Sequence, residues 1–257
     1  MNVILERIYV DFIMPQRFDQ YKEALKYAVD KGYYLTSMID YYNNYYNKID
    51  EDDKKIVILR HDIDDDLKGT KKFIEIEKEL KVKSSYYFRV DTFDYEIADE
   101  IIDWGGEVGY HYEELATYCK KNKIKNKDSL SNEDMDNIYE MFKDNIKNKF
   151  KNYDIKTIAS HGDFYNREIG VPNHHIFNHF KYDDLGILIE AYDENLLNSF
   201  HSYVSDDMYR PFWKNNISIY NSIDNGDKRI LLLTHPGNWN SNKRENFRKN
   251  IRRLLRK

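Results

Sequence analysis

IVILRHDIDDD, residues 56–66, decides how this chain folds. Its first four residues are apolar without alternation, the pattern of a strand buried on both faces. The run then ends abruptly in charge. The same grammar recurs at SYYF (85–88), EVGY (107–110), TIAS (157–160), GILIEA (186–191), FHSYV (200–204) and ILLLT (230–234). Amphipathic stretches lie around and between these runs. Phe18, Tyr21, Leu25, Ala28 and Val29 mark a helix over 17–31, and further helices are expected near 67–80, 94–103 and 131–149. Ser131 with Asp134 three residues on is a cap-like opening for the last of these. Continuous apolar strands alternating with helices predict an α/β protein whose parallel sheet is covered on both sides. About seven mainly parallel strands suit a closed or nearly closed (β/α) barrel in a single domain, with an open doubly wound sheet as the alternative. Residues 1–55 form a helical lead-in, 56–240 the barrel, and 241–257 a C-terminal basic amphipathic helix, in one domain spanning 1–257.

The chain has 257 residues, enough for one large buried core. Hydrophobic residues make up 41% and charged residues 33%, a globular rather than a disordered balance. Many of the 23 tyrosines are expected to sit half in and half out of water, since a buried hydroxyl needs a partner. A single cysteine, Cys119, excludes an intrachain disulfide and a multi-cysteine zinc site. The N-terminal MNVILERIYVDF is broken by Glu6, Arg7 and Asp11, unlike a signal peptide, and no apolar run is long enough to span a membrane. A cytoplasmic protein is expected. Net charge is −5, and nothing supports nucleic-acid recognition. The tail KRENFRKNIRRLLRK (243–257) has Phe247, Ile251, Leu254 and Leu255 at helical spacing. Such a basic helix either touches an anionic surface, a peripheral membrane contact, or packs with a solvated outer face.

The chemistry collects where strands end. IVIL runs into Arg60-His61-Asp62-Ile63-Asp64-Asp65-Asp66, EVGY into His111, TIAS into His161-Gly162-Asp163, FHSYV into Ser205-Asp206-Asp207, and ILLLT into His235-Pro236. Strand C-terminal ends are where α/β barrels build active sites. One such Asp is ordinarily only a helix cap, as Asp65 or Asp66 ahead of Leu67 can be. Five converging on one end instead suggest a joint site. Asp and His without Cys suit Zn²⁺ or a similar divalent ion with an open position. Such an ion acidifies bound water and polarises a carbonyl. A carboxylate then accepts a proton and a histidine donates one. Neither a Gly-x-Ser-x-Gly elbow nor a Gly-rich phosphate loop is present.

The segments IVILRHDIDDD (56–66), SSYYFRVD (84–91), GGEVGYHYEE (105–114), TIASHGDF (157–164) and ILLLTHPGNW (230–239), in that order, resemble the polysaccharide deacetylase (NodB-homology) family, particularly its intracellular branch. The resemblance implies a distorted (β/α) barrel and a metal-dependent hydrolase that removes an N- or O-acetyl group from a sugar. Asp62 matches the family's catalytic base, and Asp64 its metal aspartate, displaced by one residue. His111 is the first histidine of H-x-x-x-H, and His235 resembles the general acid. The second histidine of that motif is replaced by Leu115, and His161 is the expected replacement ligand, ahead of Glu113 or Glu114 and the pair His174–His175. The family's charge-holding arginine has no clear match. Arg89 or Arg210 is the candidate, with Asp206 as an orienting group, Trp239 as a further support residue, and His61 as a packing residue.

The expected cofactor is one divalent metal, Zn²⁺ or else Co²⁺, Ni²⁺ or Mn²⁺, on Asp64, His111 and His161. The expected substrate is an acetamido sugar: a nucleotide-sugar or lipid-linked glycan precursor of surface polysaccharide. The alternatives are a catalytically silent glycan-binding barrel and a metal-dependent amidase acting on a non-sugar amide.

Overall fold

The computed structural model describes residues 3–46, 53–210, 212–241 and 243–255. Among them are eight strands: β1 (Tyr34–Thr36), β2 (Ile56–Ile63), β3 (Ser85–Phe88), β4 (Glu107–Tyr112), β5 (Thr157–Ser160), β6 (Ile189–Glu190), β7 (Ser202–Ser205) and β8 (Arg229–Thr234). The class is α/β, a half-barrel of seven parallel strands with helices, consistent with the distorted (β/α) barrel expected. The three-residue β1 is an addition to the strands legible in sequence. Two compact units divide the chain. One comprises Met1–Thr36, Asp53–Ser84 and His201–Lys257, the other Ser37–Asp52 and Ser85–Phe200.

In the first unit β2 is buried along its whole length. β1 pairs with it in parallel over Ile56–Ile58, and β8 pairs from Ile56↔Arg229 to His61↔Thr234. β7 lies on the far side of β8. The helix Phe18–Asp30 buries Tyr21, Ala24, Leu25 and Ala28, one stripe at helical period. The Tyr21 ring stacks on Phe73 of the helix Leu67–Leu80 at 3.9 Å between centroids. Under these rings lies a buried polar knot. His61 offers Nδ1 to Thr234 Oγ1 at 2.7 Å and Nε2 to Glu77 Oε1 at 2.7 Å. Tyr21 and Ser84 donate their hydroxyls to Glu77. His61 therefore does more than pack: it satisfies a fully buried glutamate, which would otherwise be costly.

In the second unit β3, β4, β5 and β6 form a parallel set. Gly109 of β4 is required by close approach, because a Cβ there would meet the Tyr87 ring at 2.5 Å and the Thr157 carbonyl at 3.0 Å. The helix Asn132–Lys149 opens with the Ser131–Asp134 capping box expected from sequence. Two tyrosines of β4 depart from the half-buried placement expected of many. Tyr110 and Tyr112 are fully buried, and their hydroxyls donate to the buried Glu114 and Glu190. GILIEA also shortens to a two-residue strand, because Gly186 turns at φ +74° and Leu188 is exposed.

The C-terminal segment is helical over Lys243–Leu255. Among its described side chains Asn246 and Asn250 donate to Asp11, while Phe247 and Ile251 stay exposed; the side chains of Leu254 and Leu255 lie outside the described residues. No described helix is long and apolar enough to cross a membrane.

Candidate active site and metal centre

Strand alternation puts Arg60 and Asp62 on one face of β2 and His61 on the other. Arg60 is fully buried and Asp62 is 2% exposed. Arg60 Nε donates to Asp62 Oδ1 at 2.9 Å and Nη2 to Oδ2 at 2.8 Å, a two-point fork that fixes the carboxylate plane. This corrects the search for the base's cation. Arg210 instead binds Glu6 through Nε and Nη2, each at 2.7 Å. Arg89 forks Glu113. Arg60 was visible in sequence, since residues two apart on a strand share a face.

Asp64 lies just past β2 and is half-buried. Asp66 precedes the helix Leu67–Leu80 but makes no side-chain cap, accepting instead from Asn240 Nδ2 at 2.7 Å. His235 follows β8, whose Leu233 and Thr234 pair with Arg60 and His61, so His235 leaves the sheet beside Asp62. Asp206, just past β7, receives three donors. They are His235 Nδ1–H at 2.7 Å on Oδ1, and the His235 backbone N–H and Trp239 Nε1–H, each at 2.8 Å on Oδ2. Burial works against a charged His235. The charge and hydrogen bond of Asp206, with Asp64 and Asp62 behind, outweigh it and push the imidazole up to about 10. At neutral pH His235 is an imidazolium that donates Nδ1–H to Asp206 and carries a second proton on Nε2.

The second unit supplies two imidazoles. His111, within β4 and 2% exposed, donates Nδ1–H to the Ala159 carbonyl on β5 at 2.9 Å. That partner assigns the tautomer and gives Nε2 the lone pair. His161 follows β5, its backbone N–H donating to the Tyr112 carbonyl at 2.9 Å. The two rings are 5.0 Å apart and nearly perpendicular. His161 Nδ1 lies 3.1 Å from Glu113 Oε2. Burial alone would raise Glu113, but His161 and Arg89 overcome it and hold the carboxyl at about 2. Both histidines thus set Nδ1 against an acceptor, the tautomer that puts the ring's lone pair on Nε2. That carboxylate- or carbonyl-backed donor chemistry suits a divalent metal.

The other candidate ligands are engaged elsewhere. Glu114 is buried, accepting from Tyr110, from Asn145 Nδ2 at 2.8 Å and from the Glu113 N–H at 3.0 Å. Leu115 is a core residue, 1% exposed. His174 stacks on Tyr192, and His175 Nδ1 meets the Asn178 amide at 2.9 Å. Asp163, read from sequence as part of the strand-end cluster but not as a ligand, has a ligand atom within 4.8 Å of those of Glu113 and His161. Its carboxylate is taken by Lys120 and by the Tyr165 N–H, which makes it a helix cap.

No family model and no curated protein matches the chain. Solved structures do. A mutant of a CE4 family pseudoenzyme with restored enzymatic activity is 14% identical at TM-score 0.42, covering 79% of this chain and 64% of that one. The wild-type pseudoenzyme, from Bacillus anthracis, is 15% identical at TM-score 0.40, covering 79% and 62%. The chain thus spans less than two thirds of the length of these two. The Xyl-CE4 domain of a multidomain xylanase from the hindgut metagenome of Trinervitermes trinervoides is 15% identical at TM-score 0.37, covering 78% and 84%. Likenesses this distant decide nothing about chemistry.

Proposed function

We propose that the chain is a metal-dependent hydrolase that removes an acetyl group from an acetamido sugar or glycan precursor. One observation carries this reading: the first unit sets an acid and a base side by side on adjacent strand ends. The base, Asp62, is gripped by buried Arg60, and the acid, His235, is kept protonated by Asp206. Proton acceptor and donor in opposite states at one pH are what amide hydrolysis needs.

Asp64, His111 and His161 are the proposed ligands of one divalent ion, Zn²⁺ or else Co²⁺, Ni²⁺ or Mn²⁺. When bound, it supplies an acidified water and Lewis acidity at the acyl oxygen. Asp62 takes a proton from the attacking water as its oxygen bonds to the acyl carbon. His235 Nε2–H protonates the departing nitrogen as the C–N bond breaks, giving acetate and a free amino sugar. Asp206 holds the ring so that Nε2 remains the donating atom.

Acetate release from nucleotide-sugars, acetamido oligosaccharides and simple amides tests the reading. Asp62→Asn should abolish it while bound metal is retained, and full activity in that variant would remove Asp62 from its role. Protein purified without a tag that binds no metal, with no response to Asp64→Ala or His161→Ala, would favour a silent glycan-binding barrel. The exposed Phe247 and Ile251 among basic residues of the C-terminal helix support contact with an anionic membrane carrying a lipid-linked substrate. Co-sedimentation with phosphatidylglycerol vesicles, lost in Phe247→Ser, would test it.

A further inference from the structure

The first unit contains a cavity of about 170 Å³ that the proposed chemistry does not use. Phe212, Trp213, Tyr220 and Trp239 wall it, Arg17 lies at its base, and the exposed Gln20 and Glu23 stand at its rim. Four aromatic side chains with a few polar groups are the kind of lining a small-ligand site has. The volume falls below the roughly 300–1,000 Å³ of pockets for drug-sized ligands, so the occupant is a single ring.

Arg17 decides the chemistry. It is 3% exposed, with its guanidinium carbon 3.8 Å from the Phe212 centroid and 5.0 Å from that of Trp239. Two aromatic rings thus stack against the cation, which leaves its N–H edge for hydrogen bonds. Part of that edge is structural: Nη2 donates to the Asn238 carbonyl, and the Arg17 backbone N–H donates to the Trp239 carbonyl at 2.8 Å. Nε–H is buried with no hydrogen-bond partner among the described residues, and an unpaired buried donor is costly. Phe212, which covers the cation, sits at φ +72°, a backbone conformation that an aromatic residue rarely adopts.

An anion would face Glu23 at the rim and Asp206 behind the Trp239 indole. A hydroxyl suits both ends, because it accepts from Arg17 and donates to Glu23. Flat indole and phenyl faces match the C–H face of a sugar ring. We infer that this cavity is a carbohydrate subsite, taking one neutral pyranose with its C–H face on Trp213, its edge toward the Trp239 indole that stands nearly perpendicular at 5.8 Å, and a ring hydroxyl toward the Arg17 guanidinium. Trp239 also donates to Asp206, which holds His235, so a ring seated here lies one side chain from the proposed acid. The subsite extends the glycan reading above and rests on it for the choice of sugar.

The test uses metal-stripped full chain, so binding is read without turnover and fails or succeeds apart from deacetylation. Saturation-transfer NMR titrates the trimer of N-acetylglucosamine, with inorganic phosphate as the anionic control. Saturable trimer binding is expected, about five- to tenfold weaker in Trp213→Ala and weaker in Glu23→Ala at the exposed rim. Circular dichroism checks that each variant is folded. Arg17→Gln should lose the binding, but the rim and Trp213 variants decide the outcome if that protein fails to fold. No saturable trimer binding, an unchanged Kd in both folded variants, or binding of phosphate alone would overturn the inference.

Discussion

Arg60 and Asp62 lie two residues apart on one buried strand and meet at two points, Nε to Oδ1 at 2.9 Å and Nη2 to Oδ2 at 2.8 Å. Neither charge has water to fall back on. The pair places a carboxylate at a strand end with its plane set before any substrate arrives, which is the preorganisation a proton acceptor requires.

Removing one partner strands the other. Arg60→Met should lower stability by about 3–5 kcal/mol, because it strips a buried carboxylate of its guanidinium fork. The double variant Arg60→Met/Asp62→Leu should recover much of that loss. Urea midpoints on the four proteins measure the coupling, and simple additivity would contradict it.

Because His235 is raised to about 10, its contribution to stability is complete below about 6.5, the unfolded value. It is lost progressively as pH rises through about 10. Asp206→Asn removes the largest raising influence, so stability above neutrality should flatten and the basic limb of activity should move down in pH. The His235 Cε1–H resonance of metal-free protein should still report an imidazolium at pH 8. A midpoint near the usual histidine value would refute this.

Glu113 sits behind His161 and is held at about 2, so its charge stabilises the fold above about pH 4.5 and is lost as pH falls toward 2. Glu113→Gln should keep the fold at pH 7 but weaken metal binding about 10- to 100-fold. Competition with a chromophoric zinc chelator reads this directly. Unchanged affinity would mean that His161 is not a ligand.

Gly109→Ala tests the packing of β4 against Tyr87. The added Cβ has no room between that ring and the Thr157 carbonyl, and overpacking of this kind costs about 1–3 kcal/mol. A thermal melt unchanged from wild type would show that the second unit relaxes there.

Much of this was legible because period and caps are local. IVIL, SYYF, TIAS and ILLLT are strands where their composition places them, and Ser131 opens its helix through the two-way cap. What escaped depends on partners far along the chain. Arg89 was sought for Asp62, but its fork closes on Glu113, and nothing in their spacing of 24 residues announces that. His61 read as filler because its acceptor, Glu77, projects from a helix whose rotation only packing determines. Arg60 is the instructive omission: its partner was two letters away, but an arginine inside an apolar run looks like a strand boundary. The strand in fact continues to Ile63.

The pairing of β2 with β8 has a consequence for synthesis. Ile56 waits for Arg229 before that edge of β2 is covered. Most of the chain is therefore made while a strand that ends up buried along its whole length lacks its neighbour. Exposed edges of that kind recruit other chains, and such distant pairings form slowly. A nascent chain stalled before β8 should depend on a chaperone, and truncations that remove β8 should collect in inclusion bodies.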